Sequence, residues 1–93
     1  MNKQSVMDDG SVLTWMDRQT VKYEKDGYIV LVWVDFDSGF SIRKRVIKLE
    51  SLKNWRSTPR NVSDRDISSQ QRYSIVNSVR DFFNLRGISC RTE

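Results

Sequence analysis

The sequence predicts an α+β fold: an antiparallel β-meander of three to four strands, a long C-terminal helix packed on the sheet, and a short final strand. Residues 20–49 form apolar or alternating runs separated by short turn signals, which is typical of strands. Residues 68–87 change to apolar spacings of three and four, which are typical of a helix. At 93 residues the chain predicts a single domain, 1–93, with the polar residues 1–10 frayed.

The predicted hairpin at the centre of the meander is the clearest local feature. Residues 11–17 are either a short strand or a loop that lays Trp15 on the sheet, and residues 20–25 alternate as a half-buried strand does. Asp26-Gly27 then predicts a tight turn, since glycine adopts positive φ without steric cost.

The most apolar strand comes next. Residues 28–36 include IVLVWV, which is apolar on both faces, and we therefore expect Trp33 to lie in the core. Asp37-Ser38-Gly39 predicts a turn and residues 40–49 a third strand. Arg43-Lys44-Arg45 interrupts the alternation of that strand, which predicts either a bulge near Lys44 or that the apolar residues after Val46 cover the far face of the sheet.

The C-terminal quarter predicts the helix and the last strand. Ser68 and Gln71 have the spacing of a capping box, and a broad apolar stripe follows them. Gly87 is placed to end the helix in a left-handed conformation. Residues 88–91 then predict a short strand at the edge of the sheet.

Composition excludes the familiar catalytic sites. The chain has no histidine, which removes imidazole acid–base chemistry, Ser–His and Cys–His nucleophiles and most zinc sites. Cys90 is the single cysteine and is interpreted as a small buried apolar residue. One interpretation of Asp35 and Asp37 is a divalent-cation or general-acid site. The other is that they cap a hairpin, where aspartate is common. We expect no enzyme activity, no metal and no cofactor.

Localisation and charge narrow the class of partner. No apolar signal segment opens the chain, and one cysteine forms no internal disulfide. The apolar run of residues 28–34 is too short to cross a bilayer, so we expect a cytoplasmic protein without membrane contact.

The net charge of +4 is unevenly distributed along the chain: residues 1–37 carry four bases against seven acids, and residues 38–60 carry seven bases against one acid. The basic middle indicates a partner that is nucleic acid or an acidic protein surface.

Trp55 lies on an unusually polar, cationic segment. One interpretation is a lid, in which the indole closes the open end of a small core. The other is a recognition residue surrounded by Lys53, Arg56 and Arg60, because tryptophan and arginine are enriched at binding hot spots. For nucleic acid, the cations of residues 43–60 would contact phosphates, although no base-reading motif accompanies them.

A resemblance extends over about residues 46–91. It is carried by Trp55-Arg56-Ser57-Thr58-Pro59, Ile67-Ser68, Ser74-Ile75-Val76, Phe82-Phe83, Gly87 and Ile88. This run resembles the C-terminal part of small immunity proteins of bacterial toxin–immunity systems, including contact-dependent growth inhibition. The resemblance implies a non-catalytic inhibitor that covers the active site of a cognate toxin, through contact with its C-terminal toxin domain. Such toxins are often nucleases, whose basic clefts attract acidic inhibitors.

The expected function is therefore that of an immunity protein acting by protein–protein contact. The alternative is a small nucleic-acid-binding or phage-type regulatory protein that uses the basic surface of residues 43–60. The residues expected to contact the partner are Lys53, Trp55, Arg56, Arg60, Asp35, Asp37, Arg43 and Arg45.

Overall fold

The computed structural model describes residues 3–37 and 43–93. Six strands form one sheet in the order β1-β2-β3-β4-β5-β6, and one long helix packs on it, so the predicted α+β class is confirmed with more strands than expected. The strands are β1 (Gln4–Val6), β2 (Val12–Asp17), β3 (Thr20–Lys25), β4 (Tyr28–Phe36), β5 (Lys44–Ile47) and β6 (Ser89–Thr92). The helices are a short 3-10 helix (Leu49–Leu52) and α1 (Ser69–Asn84).

The β3–β4 hairpin forms as predicted. Asp26 and Gly27 both adopt positive φ, at 53° and 85°, which is the conformation that a two-residue turn of this hand requires. The register runs without a shift from Lys25 opposite Tyr28 to Thr20 opposite Trp33. A Cβ atom on Gly27 would lie 3.0 Å from Pro59 Cγ, so the turn also packs closely against the long connection.

Two strands form before the hairpin. β1 uses residues 4–6 of the segment that polar composition predicted to be frayed, and β2 confirms the strand alternative for residues 12–17. The turn between them is tied to the helix, because Asp9 accepts hydrogen bonds from the hydroxyls of Ser11 at 2.6 Å and Ser78 at 3.2 Å. An edge strand with one solvated face needs few apolar residues, and composition therefore did not reveal β1.

Strand β4 divides its apolar residues between two faces. Val30, Val32 and Val34 point into the core with the helix, whereas Trp33 on the opposite face is 55% exposed. The prediction that Trp33 lies in the core is therefore wrong. The run is apolar on both faces, but α1 covers only the face that carries the valines.

Strand β5 is shorter than the predicted third strand. Residues 38–42 lie outside the described residues, and with them the predicted turn and the first part of that strand. Residues 34–36 pair with residues 45–47 in an unshifted register. The side chains of the neighbouring residues Val46 and Ile47 therefore point to opposite faces of the sheet. Ile47 joins the core with the helix and Val46 is buried on the far face, so the expectation that the apolar residues after Val46 cover the far face is wrong for Ile47.

The helix and the last strand confirm the C-terminal predictions. Ser68 Oγ accepts the Gln71 N–H at 3.1 Å and the Gln71 side chain accepts the Ser68 N–H at 2.8 Å, which completes the capping box. The apolar stripe of α1 buries Ile75, Val79 and Phe82 against the sheet. After the helix, β6 pairs with β5 in parallel at the edge of the sheet.

Gly27→Ala should destabilise the protein more than Gly10→Ala. Both glycines have positive φ, but a Cβ at Gly27 meets Pro59 at 3.0 Å while one at Gly10 meets nothing within 4 Å. We expect Gly10→Ala to cost about 1 kcal/mol of unfolding free energy and Gly27→Ala measurably more. Urea denaturation of both variants checks this, and equal losses would contradict the close packing of Pro59 on the turn.

Candidate functional site

Trp55 is held in the core by its backbone and its neighbours. The segment after the 3-10 helix pairs with the first half of β4, where the Ile29 N–H donates to the Ser57 carbonyl at 3.0 Å and the Arg56 N–H donates to the Ile29 carbonyl at 2.8 Å. The indole is 5% exposed, and its ring centroid lies 5.0 Å from that of Tyr28 and 6.2 Å from that of Tyr23. This arrangement matches the lid interpretation, and so little exposed surface does not suit a contact residue.

The basic residues expected to surround Trp55 do not form one surface. Arg45 is 6% exposed, and its guanidinium lies 3.9 Å from the centroid of the Phe36 ring. Arg45 pairs with Phe36 at one end of β4, whereas Arg56 pairs with Ile29 near the other. Seven residues of strand separate these positions by about 23 Å. The remaining predicted cations are exposed: Arg43 at the β5 end, and Lys53 and Arg60 on the connection.

Asp37 belongs to a network of ion pairs. Its two carboxylate oxygens accept from the Arg91 guanidinium at 3.1 Å each, Arg91 also pairs with Glu93 at 3.1 Å, and Glu93 pairs with Lys48 at 2.9 Å. The hydrogen bonds that Arg91 donates to Asp37 raise the pKa of Arg91 above its usual value, and the hydrogen bond from Lys48 lowers the pKa of Glu93. Asp37 therefore fastens the end of β4 to β6 and has a structural role.

Asp35 lies in a different setting, beside the exposed Trp33. A surface cavity of about 380 Å³ is lined by Asp17, Gln19, Thr20, Trp33, Asp35 and Glu50. The Trp33 backbone is fixed on its free side, where its N–H donates to Ser51 Oγ at 3.1 Å and its carbonyl accepts from the Lys48 N–H at 2.9 Å. Because both edges of β4 are paired here, the indole is presented from a rigid strand.

The charged residues that line this cavity are all acidic. Three of its six lining residues are carboxylates, and among those described residues none is a cation. Lys48 is close enough to be affected: its hydrogen bond to Glu93 raises its pKa, and the charges of Asp35 and Glu50 raise it further. An indole face beside carboxylates suits an arginine or lysine side chain through cation–π attraction and ion pairing. In the described part of the chain, no three acidic or cysteine side chains are arranged to hold a metal ion.

Sequence reasoning missed Trp33 as a surface residue, although a signal was present. Trp33 and Asp35 are two residues apart on a strand and therefore share a face, while the valines alternate with them. A single predicted helix covers one face of a sheet, so the face with the aspartate was the better candidate for solvent.

A second cavity, of about 420 Å³, lies against the buried aromatic group. Its walls include Tyr23, Tyr28 and Trp55 on one side and Ser68 and Gln71 of the helix start on the other. Burial raises the pKa of Tyr23 to about 12, and the charges of Asp9 and Asp26 act in the same direction. The phenol is therefore neutral at physiological pH.

Cys90 has the properties of a packing residue. Burial raises the pKa of its thiol to about 11, although the nearby charges of Arg45 and Arg80 lower it. The thiol is protonated at neutral pH and is a poor nucleophile.

Comparison with protein-family models, with curated proteins and with solved structures gives no match for this chain. Within residues 3–37 and 43–93, no helix combines the length and the apolar character needed to cross a membrane.

Trp55→Ala and Trp33→Ala should differ sharply in stability. Removing the buried indole of Trp55 leaves a cavity beside Tyr23 and Tyr28, and we expect a loss of about 3–5 kcal/mol of unfolding free energy. Removing the half-exposed indole of Trp33 should cost about 1 kcal/mol or less. Thermal and urea denaturation measure both, and a large loss for Trp33→Ala would show that this residue packs in the fold.

Stability should fall in alkaline solution through Tyr23. Its pKa is about 12 in the folded protein and near the ordinary value of 10 when unfolded, so above pH 10 the unfolded state releases this proton first. The free energy of unfolding should therefore decline between pH 10 and 12, and less so in Tyr23→Phe. Tyr73→Phe is the matched control, since Tyr73 is 70% exposed. Denaturant titrations across this pH range make the comparison, and identical pH profiles for the two variants would contradict a buried, neutral Tyr23.

Proposed function

We propose that the protein is a non-catalytic binding protein of the immunity type, which neutralises a cognate protein toxin by direct contact through the sheet face that carries Trp33. The observation that supports this most is the half-exposed indole of Trp33 beside Asp17, Asp35 and Glu50. Tryptophan is the residue type most enriched among binding hot spots, and here it is presented by a strand paired on both edges.

The face around Trp33 has further apolar surface that suits a protein partner. Alternation places Ile29 and Leu31 on the same side of β4 as Trp33, and β3 carries Glu24 and Lys22 opposite them on that side. Beyond Glu24 the same side continues through Val12 of β2 to Val6 of β1. Val6 is 73% exposed. A tryptophan beside apolar and charged side chains is the usual composition of a protein-binding site with a charged rim.

The charge of the site supports a cationic partner. The net charge of +4 gives no long-range attraction to such a surface, but the carboxylates at Trp33 act at contact distance. The sequence resemblance implies a toxin with a basic cleft, and an acidic site with an aromatic anchor is complementary to it. In this proposal Trp33 packs on the toxin surface, and Asp17, Asp35 and Glu50 pair with its arginine or lysine side chains.

The nucleic-acid alternative receives less support from the geometry. Its surface would require the basic residues of 43–60 to lie together, but Arg45 is buried and Arg56 is displaced from it along β4. The exposed cations therefore form two separate groups.

Capture from the native host lysate tests the proposal. Tagged wild-type protein should retain one stoichiometric protein after nuclease treatment, and that protein should be toxic to cells when expressed without the present chain. Trp33→Ala should weaken the purified complex at least about thirtyfold, the effect expected of a hot-spot tryptophan. Asp35→Asn should weaken the complex less than Trp33→Ala does. The weakening by Asp35→Asn should be larger at low salt than at high salt.

Tyr73→Ala is the matched control, since Tyr73 is 70% exposed and belongs to α1, which packs on the other face of the sheet. It should bind as wild type does. A partner that is retained equally by Trp33→Ala would contradict the proposed face. Recovery of salt-sensitive RNA or DNA in place of a protein would favour the nucleic-acid alternative.

A further inference from the structure

A groove on the helix side of the molecule differs from the Trp33 face in charge. It has a volume of about 320 Å³ and is lined by α1 on one side and by Thr92 of β6 and Leu49 on the other. The helix lines the groove with Arg72, Val76 and Arg80, which are four residues apart and therefore lie on one side of α1. None of the described residues that line it is acidic.

The two arginines of the groove have no counterion among the residues that the structure describes. The Nε atoms of Arg72 and Arg80 are buried and make no hydrogen bond, and neither guanidinium has an ion pair among residues 3–37 and 43–93. A partly buried guanidinium without an acceptor loses hydration without compensation, and an anion restores the missing hydrogen bonds. The groove therefore favours an anionic occupant.

The same groove reaches an open edge strand, β6, at Thr92. β6 is the last strand in the order and pairs only with β5 in the described sheet. The N–H groups of Ser89 and Glu93 donate towards β5, to Arg43 at 2.8 Å and Ile47 at 3.0 Å. Backbone groups alternate along a parallel strand, so the N–H and C=O groups of Cys90 and Thr92 point outward.

We propose that this edge binds an acidic, extended peptide segment as a seventh strand, with its carboxylates paired to Arg72 and Arg80. The outward backbone groups of Cys90 and Thr92 hydrogen-bond the added strand. Alternate side chains of that strand face the helix, where they meet the two guanidiniums on either side of Val76. This site is separate from the Trp33 face and does not depend on the function proposed for it.

Fluorescence anisotropy with a labelled ten-residue peptide of alternating glutamate and valine tests the inference. The wild-type protein should bind it, and should bind the glutamine–valine peptide at least about tenfold more weakly. Arg80→Gln and Arg72→Gln should each weaken the acidic peptide by about tenfold.

Thr92→Pro tests strand addition separately from charge. It removes the outward N–H and leaves the bonds of Ser89 and Glu93 to β5 in place, and proline is tolerated on an edge strand in this orientation. Binding should be lost in Thr92→Pro and kept in Thr92→Val, which retains the N–H. Circular dichroism confirms that both variants are folded, and Trp33→Ala should bind the peptide as wild type does.

Three results would overturn the inference. One is wild-type binding that does not distinguish the glutamate peptide from the glutamine peptide. Another is full binding by Thr92→Pro, which would reduce the groove to a charged patch without strand addition. The third is a single-stranded oligonucleotide that displaces the peptide and binds more tightly, because the groove would then be a phosphate site.

Discussion

The coverage of one sheet face by one helix is the constraint on which the rest of the structure depends. Phe82 and Phe83 of α1 pack on the side of the sheet that carries the β4 valines, and Trp15 meets them edge-on at 6.2 and 5.2 Å between ring centroids. In a chain of 93 residues, α1 is too small to cover both faces. On the other face of β4, Trp33 is therefore left in contact with solvent, and this is the surface that we propose for a partner.

The long connection compensates for the shortness of β5. β5 pairs only with residues 34–36 of β4, so the first half of β4 would otherwise present an open edge. Residues 56–57 pair with Ile29 there, and this places Trp55 over Tyr23 and Tyr28. A bulky aromatic on a polar, cationic segment is thus explained: its neighbours Asn54 and Arg56 remain in solvent, while the indole closes the core together with Leu52 and Ile67.

Charge is separated between the two sides of the sheet. Carboxylates surround Trp33 on the uncovered face, and unpaired guanidiniums line the groove beside the helix. The ion pairs of Asp37, Arg91, Glu93 and Lys48 lie at the end of β4 and hold β4, β6 and the start of the 3-10 helix together. An acidic site and a basic site on one small domain suit a cationic and an anionic partner respectively, whatever the net charge of the domain is.

The sequence by itself determined the features that depend on short-range rules. Asp26-Gly27, the Ser68–Gln71 capping box and the helical stripe of α1 each require only residues within a few positions, and each formed as predicted. The absence of histidine likewise excluded whole classes of catalytic site without any structure.

The tertiary structure alone decided the positions of the two tryptophans. Periodicity places Trp33 on a face but does not say which face the helix covers, and composition places Trp55 among cations but does not say that residues 56–57 pair with Ile29. The pairing of Asp37 with Arg91 joins residues 54 positions apart. Burial is a property of long-range contacts, so a local pattern that is apolar on both faces leaves the exposed face undetermined until the covering element is in place.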